Sequence, residues 1–245
     1  MSFAGRGIVV TRPRELAATF ARLIESRGAR AIVFPAIDIE PLPPPAVLAR
    51  LGEYDLVVFV SPSAVRTALR ARPPWPPRVA AAVGAGTRRE LERAGAAPLL
   101  APAAGADSEA LLALPQLQAV AGKRVLIVRG DDGRALLADT LGARGAAVEH
   151  AACYRRVRPA ADAAPLVADW RRGQVHALTA SSAQALDNFV AMGGAELLAS
   201  VPLFVPHERI ARHARAQGSR EILVAAGAGD DDMLERLVAY FDERD

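Results

Sequence analysis

Hydroxyls, glycines and single arginines recur where an apolar run gives way to a helical pattern. The places are Thr11-Arg12-Pro13, Ser61-Pro62-Ser63, Gly84-Ala85-Gly86-Thr87, Asp107-Ser108, Arg129-Gly130-Asp131, Thr179-Ala180-Ser181-Ser182, Pro206-His207-Glu208 and Gly227-Ala228-Gly229. A helix N-terminus leaves backbone N–H groups without intrahelical partners, and its dipole favours anions. Arginine adds a bidentate grip on carboxylates and phosphates. The chemistry such a set can do is to hold an anionic molecule. Each of Ser61, Ser63, Thr87 and Ser181 also fits a plain helix N-cap. The expectation of an anion-binding cleft therefore rests on the ensemble, not on any one side chain.

Other chemistries lack their residues. Val83-Gly84-Ala85-Gly86-Thr87 contains GxG without the third glycine of a dinucleotide loop, and there is neither GxxxxGK[ST] nor GxSxG. His150, His176, His207 and His213 show no metal-ligand spacing. Cys153, the one cysteine, falls in or at the end of a strand and reads as a small apolar residue. Asp230, Asp231 and Asp232 read as stabilisers of a helix N-terminus. No cofactor and no metal is expected, so catalysis would lean on positioning and backbone dipoles.

The elements that must position these residues alternate. Apolar runs suited to buried strands cover 7–11, 30–34, 55–60, 79–83, 97–100, 124–128, 147–151, 175–179, 201–205 and 221–225. Helical patterns fill the gaps, as at Glu15–Arg27, Thr87–Ala94, Arg134–Arg144, Ala183–Met192 and Asp231–Phe241. This predicts α/β architecture with parallel sheets. In such sheets ligands bind outside the carboxyl ends of the strands, where the residues above lie.

The chain also repeats. GRGIVVTRP (5–13) matches GKRVLIVRG (122–130) at an offset of 117, and the segment around YDLVVFVSPSAV (54–65) resembles that around VHALTASSAQAL (175–186), with Ser61 set against Ser181 at an offset of 120. AGADSEALLAL (104–114) matches GAGDDDMLERL (227–237). Proline clusters fall not between the copies but inside each, in PAIDIEPLPPP (35–45) and YRRVRPAADAAP (154–165). They predict that the chain leaves one domain and returns to it later. The outer domain would be 1–38 with 157–245, the middle domain 39–156, and the cleft would lie between them. Each would hold about five strands, a flavodoxin-like count. One repeat per domain is the alternative.

Composition narrows the partners. The chain has 245 residues, 51% hydrophobic and 23% charged, with a net charge of +3, the profile of a globular protein with a real core. Of 30 basic residues only Lys123 is lysine. The arginines are scattered among acids and aromatics are only 5%, which argues against a nucleic-acid groove. No signal peptide and no membrane span is expected, giving an intracellular, cytoplasmic reading.

Taken in order, VVTRP (9–13), FPAIDIEP (34–41), YDLVVFVSPSAV (54–65), VGAGT (83–87), DSEALL (107–112), GKRVLIVRGDDGRALLADTL (122–141), YRRV at Tyr154 and VPHERIARHARAQG (205–218) resemble the uroporphyrinogen-III synthase family over almost the whole chain. The resemblance implies two flavodoxin-like domains joined by a two-stranded connection. It implies a cofactor-free reaction in which linear hydroxymethylbilane loses water, its terminal pyrrole ring is inverted, and uroporphyrinogen III closes. The expected partners are the small-molecule substrate and, by transient hand-over, hydroxymethylbilane synthase, and the expected state is a monomer.

By position in the family, Tyr154 is the candidate general acid; a tyrosine packing a linker strand is the other reading of it. Arg12, Ser61, Ser63, Gly84, Thr87, Arg129, Gly130, Thr179, Ser181, Ser182 and His207 are the candidate substrate-binding residues. The chain departs from the family at Val60 and Ala180, where hydroxyls are usual, and at Pro206-His207-Glu208-Arg209. The rival class is a two-lobed module binding a small anion or sugar without catalysis. A sugar binder needs aromatic stacking surfaces, and only Trp75 and Trp170 are available as tryptophans. A nucleotide-dependent methyltransferase would need a glycine loop that is missing.

Overall fold

The computed structural model describes residues 3–103, 107–133 and 135–243. The first three residues of the AGADSEALLAL motif, 104–106, and the expected helix start at Arg134 lie outside that set. Among the described residues eleven strands occur: β1 (Gly7–Val10), β2 (Arg30–Val33), β3 (Asp38–Pro41), β4 (Leu56–Phe59), β5 (Ala80–Ala82), β6 (Leu99–Leu100), β7 (Arg124–Gly130), β8 (Ala147–Val157), β9 (Ala177–Thr179), β10 (Leu203–Val205) and β11 (Ile222–Val224). They form two sheets. One runs β11-β10-β9-β1-β2 and the other β3-β8-β7-β4-β5-β6. The chain divides into two compact units, Met1–Asp38 with Val157–Asp245, and Ile39–Arg156.

The five strands of the outer unit pair in parallel throughout. So do β8, β7, β4, β5 and β6. Both five-strand sets have a doubly wound order. Each set combines the first two strands of one sequence copy with the last three of the other. Central strands bury both faces, which is why β1 and β4 read GIVV and LVVF without polar alternation.

Expectation and structure differ in two respects. The second sheet has six strands rather than five, because β3, with sequence DIEP, lies beside β8. Its polar residues and terminal proline hide it from a hydrophobic pattern, and an edge tolerates both. The offset within the second half-repeat is 121, not 120. Val58 pairs with Ile127 and Thr179 with Val10, and Ile127 and Val10 are themselves repeat mates. Thr179 therefore matches Val58, and Ser182, not Ser181, matches Ser61.

Packing follows helical periodicity. The helix Arg14–Ser26 buries Ala17, Phe20, Ala21 and Ile24, and the helix Asp230–Asp242 buries Met233, Leu234, Leu237, Tyr240 and Phe241. Both stripes join Ile8, Val10 and Phe204 in the outer core. In the middle unit, alternate residues face opposite layers: Val57, Phe59, Leu126 and Val128 on one side, Leu56, Val58, Val125 and Ile127 on the other.

Candidate active site

At the carboxyl end of the middle sheet, the pairing of β7 with β8 slips by one residue. Arg129 opposes Ala152 and Gly130 opposes Tyr154, leaving Cys153 extra. In a regular strand Tyr154 would face away from Ala151 and Cys153. The bulge turns it back: Ala151, Cys153 and Tyr154 all join the buried cluster of Phe59, Ala64 and Val128. Tyr154 is 1% exposed.

The phenol meets a helix cap. Ser61 has extended backbone and caps the helix Pro62–Arg70, its Oγ accepting the Ala64 N–H at 3.1 Å. Pro62 follows at the first helical position, where no N–H is needed. The same Oγ lies 2.9 Å from Tyr154 Oη. Gly130 makes room for the ring: a Cβ there would stand 3.1 and 3.2 Å from Tyr154 ring carbons. The Asp131 N–H donates to the Tyr154 carbonyl at 2.9 Å, fixing the backbone at the bulge.

The neighbouring helix Ala85–Arg93 opens beside this cap. Gly84 occupies its N-cap position with no side-chain bond, and a Cβ on Gly86 would come within 3.3 Å of Pro62 Cγ. Arg66 ties the two helices together by donating to both Glu90 oxygens at 3.1 and 2.6 Å, and this holds the Glu90 carboxyl below its ordinary value. Ser63 and Thr87, expected as substrate contacts, are buried in the first turns of their helices. Arg129 folds back onto its own loop, its Nε donating to the Gly130 carbonyl at 3.3 Å and its guanidinium lying against Gly133. Cys153 is buried, which pushes its thiol up to about 11.

The outer unit spends its strand-end hydroxyls internally. Thr11 donates to the Thr179 carbonyl at 2.8 Å, and Thr179 to the Val9 carbonyl at 2.9 Å. Both are buried, so they stitch β1 to β9. Arg12 forms an ion pair with Asp230 and stacks 4.7 Å from the Phe20 ring centroid. Ser182 caps the helix Ala183–Phe189 through the Ala185 N–H at 3.1 Å, while Ser181 is exposed. His207 is exposed at the N-cap of Glu208–Ala216 and makes no capping bond. Asp232 curls back to accept the Gly229 N–H at 3.0 Å, so the last helix supplies its own anion. Among the described residues no group of three or more His, Cys, Asp and Glu could hold a metal, and no helix is long and apolar enough to cross a membrane.

The family model described as Uroporphyrinogen-III synthase HemD matches residues 18–235. The chain belongs to the uroporphyrinogen-III synthase family. It is similar to uroporphyrinogen-III synthase of Escherichia coli, at 35% identity over 94% of this chain and 99% of that protein. The Salmonella typhimurium protein of the same name is 36% identical over 94% of this chain and 99% of its own length. Among solved structures, uroporphyrinogen-III synthetase from Helicobacter pylori superposes with a TM-score of 0.60 at 14% identity, covering 96% of this chain and 99% of that one. A uroporphyrinogen III synthase mutant from Thermus thermophilus gives a TM-score of 0.55 at 20% identity over 97% and 98%. These likenesses establish a shared two-domain α/β fold.

Of the candidate residues, the structure brings Tyr154, Ser61 and Gly130 into one contact group. Arg12 and Thr179 are engaged within the outer unit, and Ser63 and Thr87 in helix first turns. The bulge at Cys153 and the pairing of Arg12 with Asp230 escaped the sequence reading. For the bulge a signal existed: Cys153-Tyr154 and Arg155-Arg156 are an apolar doublet and a charged doublet, which break the period of two.

Proposed function

We propose that this chain cyclises linear hydroxymethylbilane to uroporphyrinogen III, with loss of water and inversion of the terminal pyrrole ring. The observation that carries the reading is the match to curated proteins of that name over nearly the full length of both chains, at 35% and 36% identity. The substrate bears eight carboxylates, which suits helix N-termini and strand-end arginines.

The chemistry divides into two tasks. The first is departure of the terminal hydroxyl. Its C–O bond breaks, the electron pair leaves with oxygen, and a proton from the Tyr154–Ser61 pair converts it to water. The pyrrole nitrogen supplies electrons to the carbon left behind. One such donor contributes about 10²-fold, the low end for general acid catalysis. The second task is geometric. The azafulvene must be met by the substituted carbon of the terminal ring, giving a spiro intermediate, so the protein must hold a flexible chain in one orientation. Orientation of this kind can contribute several kcal/mol, up to about 7–11 in well-aligned cases. Hand-over from hydroxymethylbilane synthase completes the reading and is supported by the tendency of the free substrate to close to the wrong isomer.

The test is coupled conversion of porphobilinogen through hydroxymethylbilane, with chromatographic separation of the products after oxidation. Isomer III should dominate when the chain is present. Isomer I alone, at every amount of protein, would return the chain to the class of non-catalytic binding modules.

A further inference from the structure

Tyr154 is 1% exposed, yet the proposed reaction needs a proton delivered to a substrate oxygen. Ser61, whose Oγ is 2.9 Å from Tyr154 Oη, is only half-buried and sits at the mouth of the helix Pro62–Arg70. A serine hydroxyl has one proton to give and two lone pairs to fill. The Ala64 N–H fills one lone pair at 3.1 Å. If Tyr154 fills the other, the Ser61 proton has no partner within this group and points outward.

We propose that Ser61 is the group that protonates the departing hydroxyl and that Tyr154 resupplies it. This rests on the cyclisation reading above. The step balances. The Ser61 proton goes to the leaving oxygen as the C–O bond breaks, and the Tyr154 proton moves to Ser61 Oγ. The phenolate regains a proton by the same path when the unsubstituted α-carbon of the terminal ring loses its hydrogen at closure. The Ala64 N–H and the helix dipole favour negative charge at the cap while protons are in transit.

The geometry assigns each residue a separable property. Asparagine is as good an N-cap as serine, because its carbonyl oxygen accepts the same N–H, but it has no hydroxyl to pass a proton through. Threonine keeps both functions. Gly130 enters as a steric condition, since the ring reaches Ser61 only across a residue with no side chain.

The experiment compares Ser61→Asn, Ser61→Thr, Tyr154→Phe and the Ser61→Asn/Tyr154→Phe double variant, each checked by thermal unfolding. Ser61→Asn should lower kcat by about 10–100-fold with KM changed less than about threefold, since proton donation is felt mainly in the transition state. Ser61→Thr should retain kcat within about threefold. The double variant should be no slower than the worse single variant, because both residues serve one transfer. Wild-type kcat in a stably folded Ser61→Asn variant would overturn the relay, and so would losses that multiply in the double variant. If the unmodified chain makes no isomer III, the cyclisation reading itself fails, an outcome distinct from either of these.

Discussion

Ser61 and Tyr154 lie 93 positions apart in sequence and 2.9 Å apart at their hydroxyl oxygens. Three adjacent strand ends bring this about. Ser61 follows β4, Tyr154 belongs to β8, and β7 runs between them and ends in Gly130. The ring crosses above Gly130 to reach the cap, and the bulge at Cys153 points it there.

Gly130→Ala tests that crossing. The added methyl would press on ring carbons 3.1 and 3.2 Å away, so the ring must shift or the bulge must relax. Overpacking of this kind costs about 1–3 kcal/mol. A misplacement of about 1 Å at a reacting group can cost 10²-fold, so a shift of a few tenths of an ångström should lower kcat about tenfold. Combined with Tyr154→Phe, the alanine should add little further loss of kcat. A Gly130→Ala variant with unchanged kcat and unchanged melting temperature would show that the ring is not confined there.

Arg12 is both an ion-pair partner of Asp230 and a platform on Phe20. Arg12→Ala should destabilise the chain by about 1.5–3 kcal/mol, the range for charged hydrogen bonds. It should also raise KM more than it lowers kcat, because carboxylate binding is largely shared by ground and transition states. Asp230→Asn, which leaves the guanidinium in place, should not raise KM. A rise in KM with Asp230→Asn as large as with Arg12→Ala would mean that the pair acts only as a structural latch.

His176 makes the outer unit sensitive to mild acid. Its Nδ1 accepts the Gly7 N–H at 2.9 Å, so that nitrogen is unprotonated in the fold. Desolvation, then the charges of Arg6 and Arg30, lower its pKa below the ordinary 6.5. A depressed pKa on a base means that the unfolded chain takes up the proton first. The contribution is therefore whole above pH 6.5 and is lost as pH falls through the folded value. Denaturant titrations of the intact chain should show a steeper fall in stability below pH 6.5 than those of His176→Asn. Parallel profiles for the two proteins would remove His176 as the cause.

Cys153 acts at the other end of the scale. Burial raises its thiol from 9.0 to about 11. The unfolded chain then loses its proton first, so stability is whole below pH 9.0 and falls as pH rises through about 11. Two pKa steps correspond to about 2–3 kcal/mol at most. Cys153→Ala should flatten the alkaline limb of the stability profile, and the thiol of the folded protein should resist alkylation at neutral pH. Rapid alkylation without unfolding would contradict its burial.

Much of this was legible in the residues, for identifiable reasons. The buried parallel strands announce themselves as GIVV, LVVF and VLIV, because strands covered on both faces carry few polar residues. The internal copies were visible in GRGIVVTRP and GKRVLIVRG, and the cap Ser61 in the hydroxyl ahead of a helical stripe, whereas the cap of Ala183–Phe189 is Ser182 rather than the expected Ser181. What stayed hidden depends on pairing. β3 is polar and exists only because β8 extends past its neighbours to receive it. Ser181 stands one residue before the position that the ladder registers match to Ser61, which is Ser182. The partner of Arg12 lies 218 positions away, and no local pattern announces it.

Proton delivery and control of ring geometry are separate tasks in the proposed reaction, and Tyr154→Phe separates them most directly. Phenylalanine keeps the ring that packs over Gly130 and removes only the hydroxyl next to Ser61. The measurement is the rate of hydroxymethylbilane consumption together with the ratio of isomer III to isomer I, at matched amounts of stably folded protein. Turnover should fall about 10–100-fold, the range for loss of one positioned proton donor, while the product formed on the protein remains isomer III. Full activity in the variant would contradict the role given to Tyr154. Isomer I formed at an undiminished rate of consumption would contradict the division itself, since the phenol would then be controlling geometry.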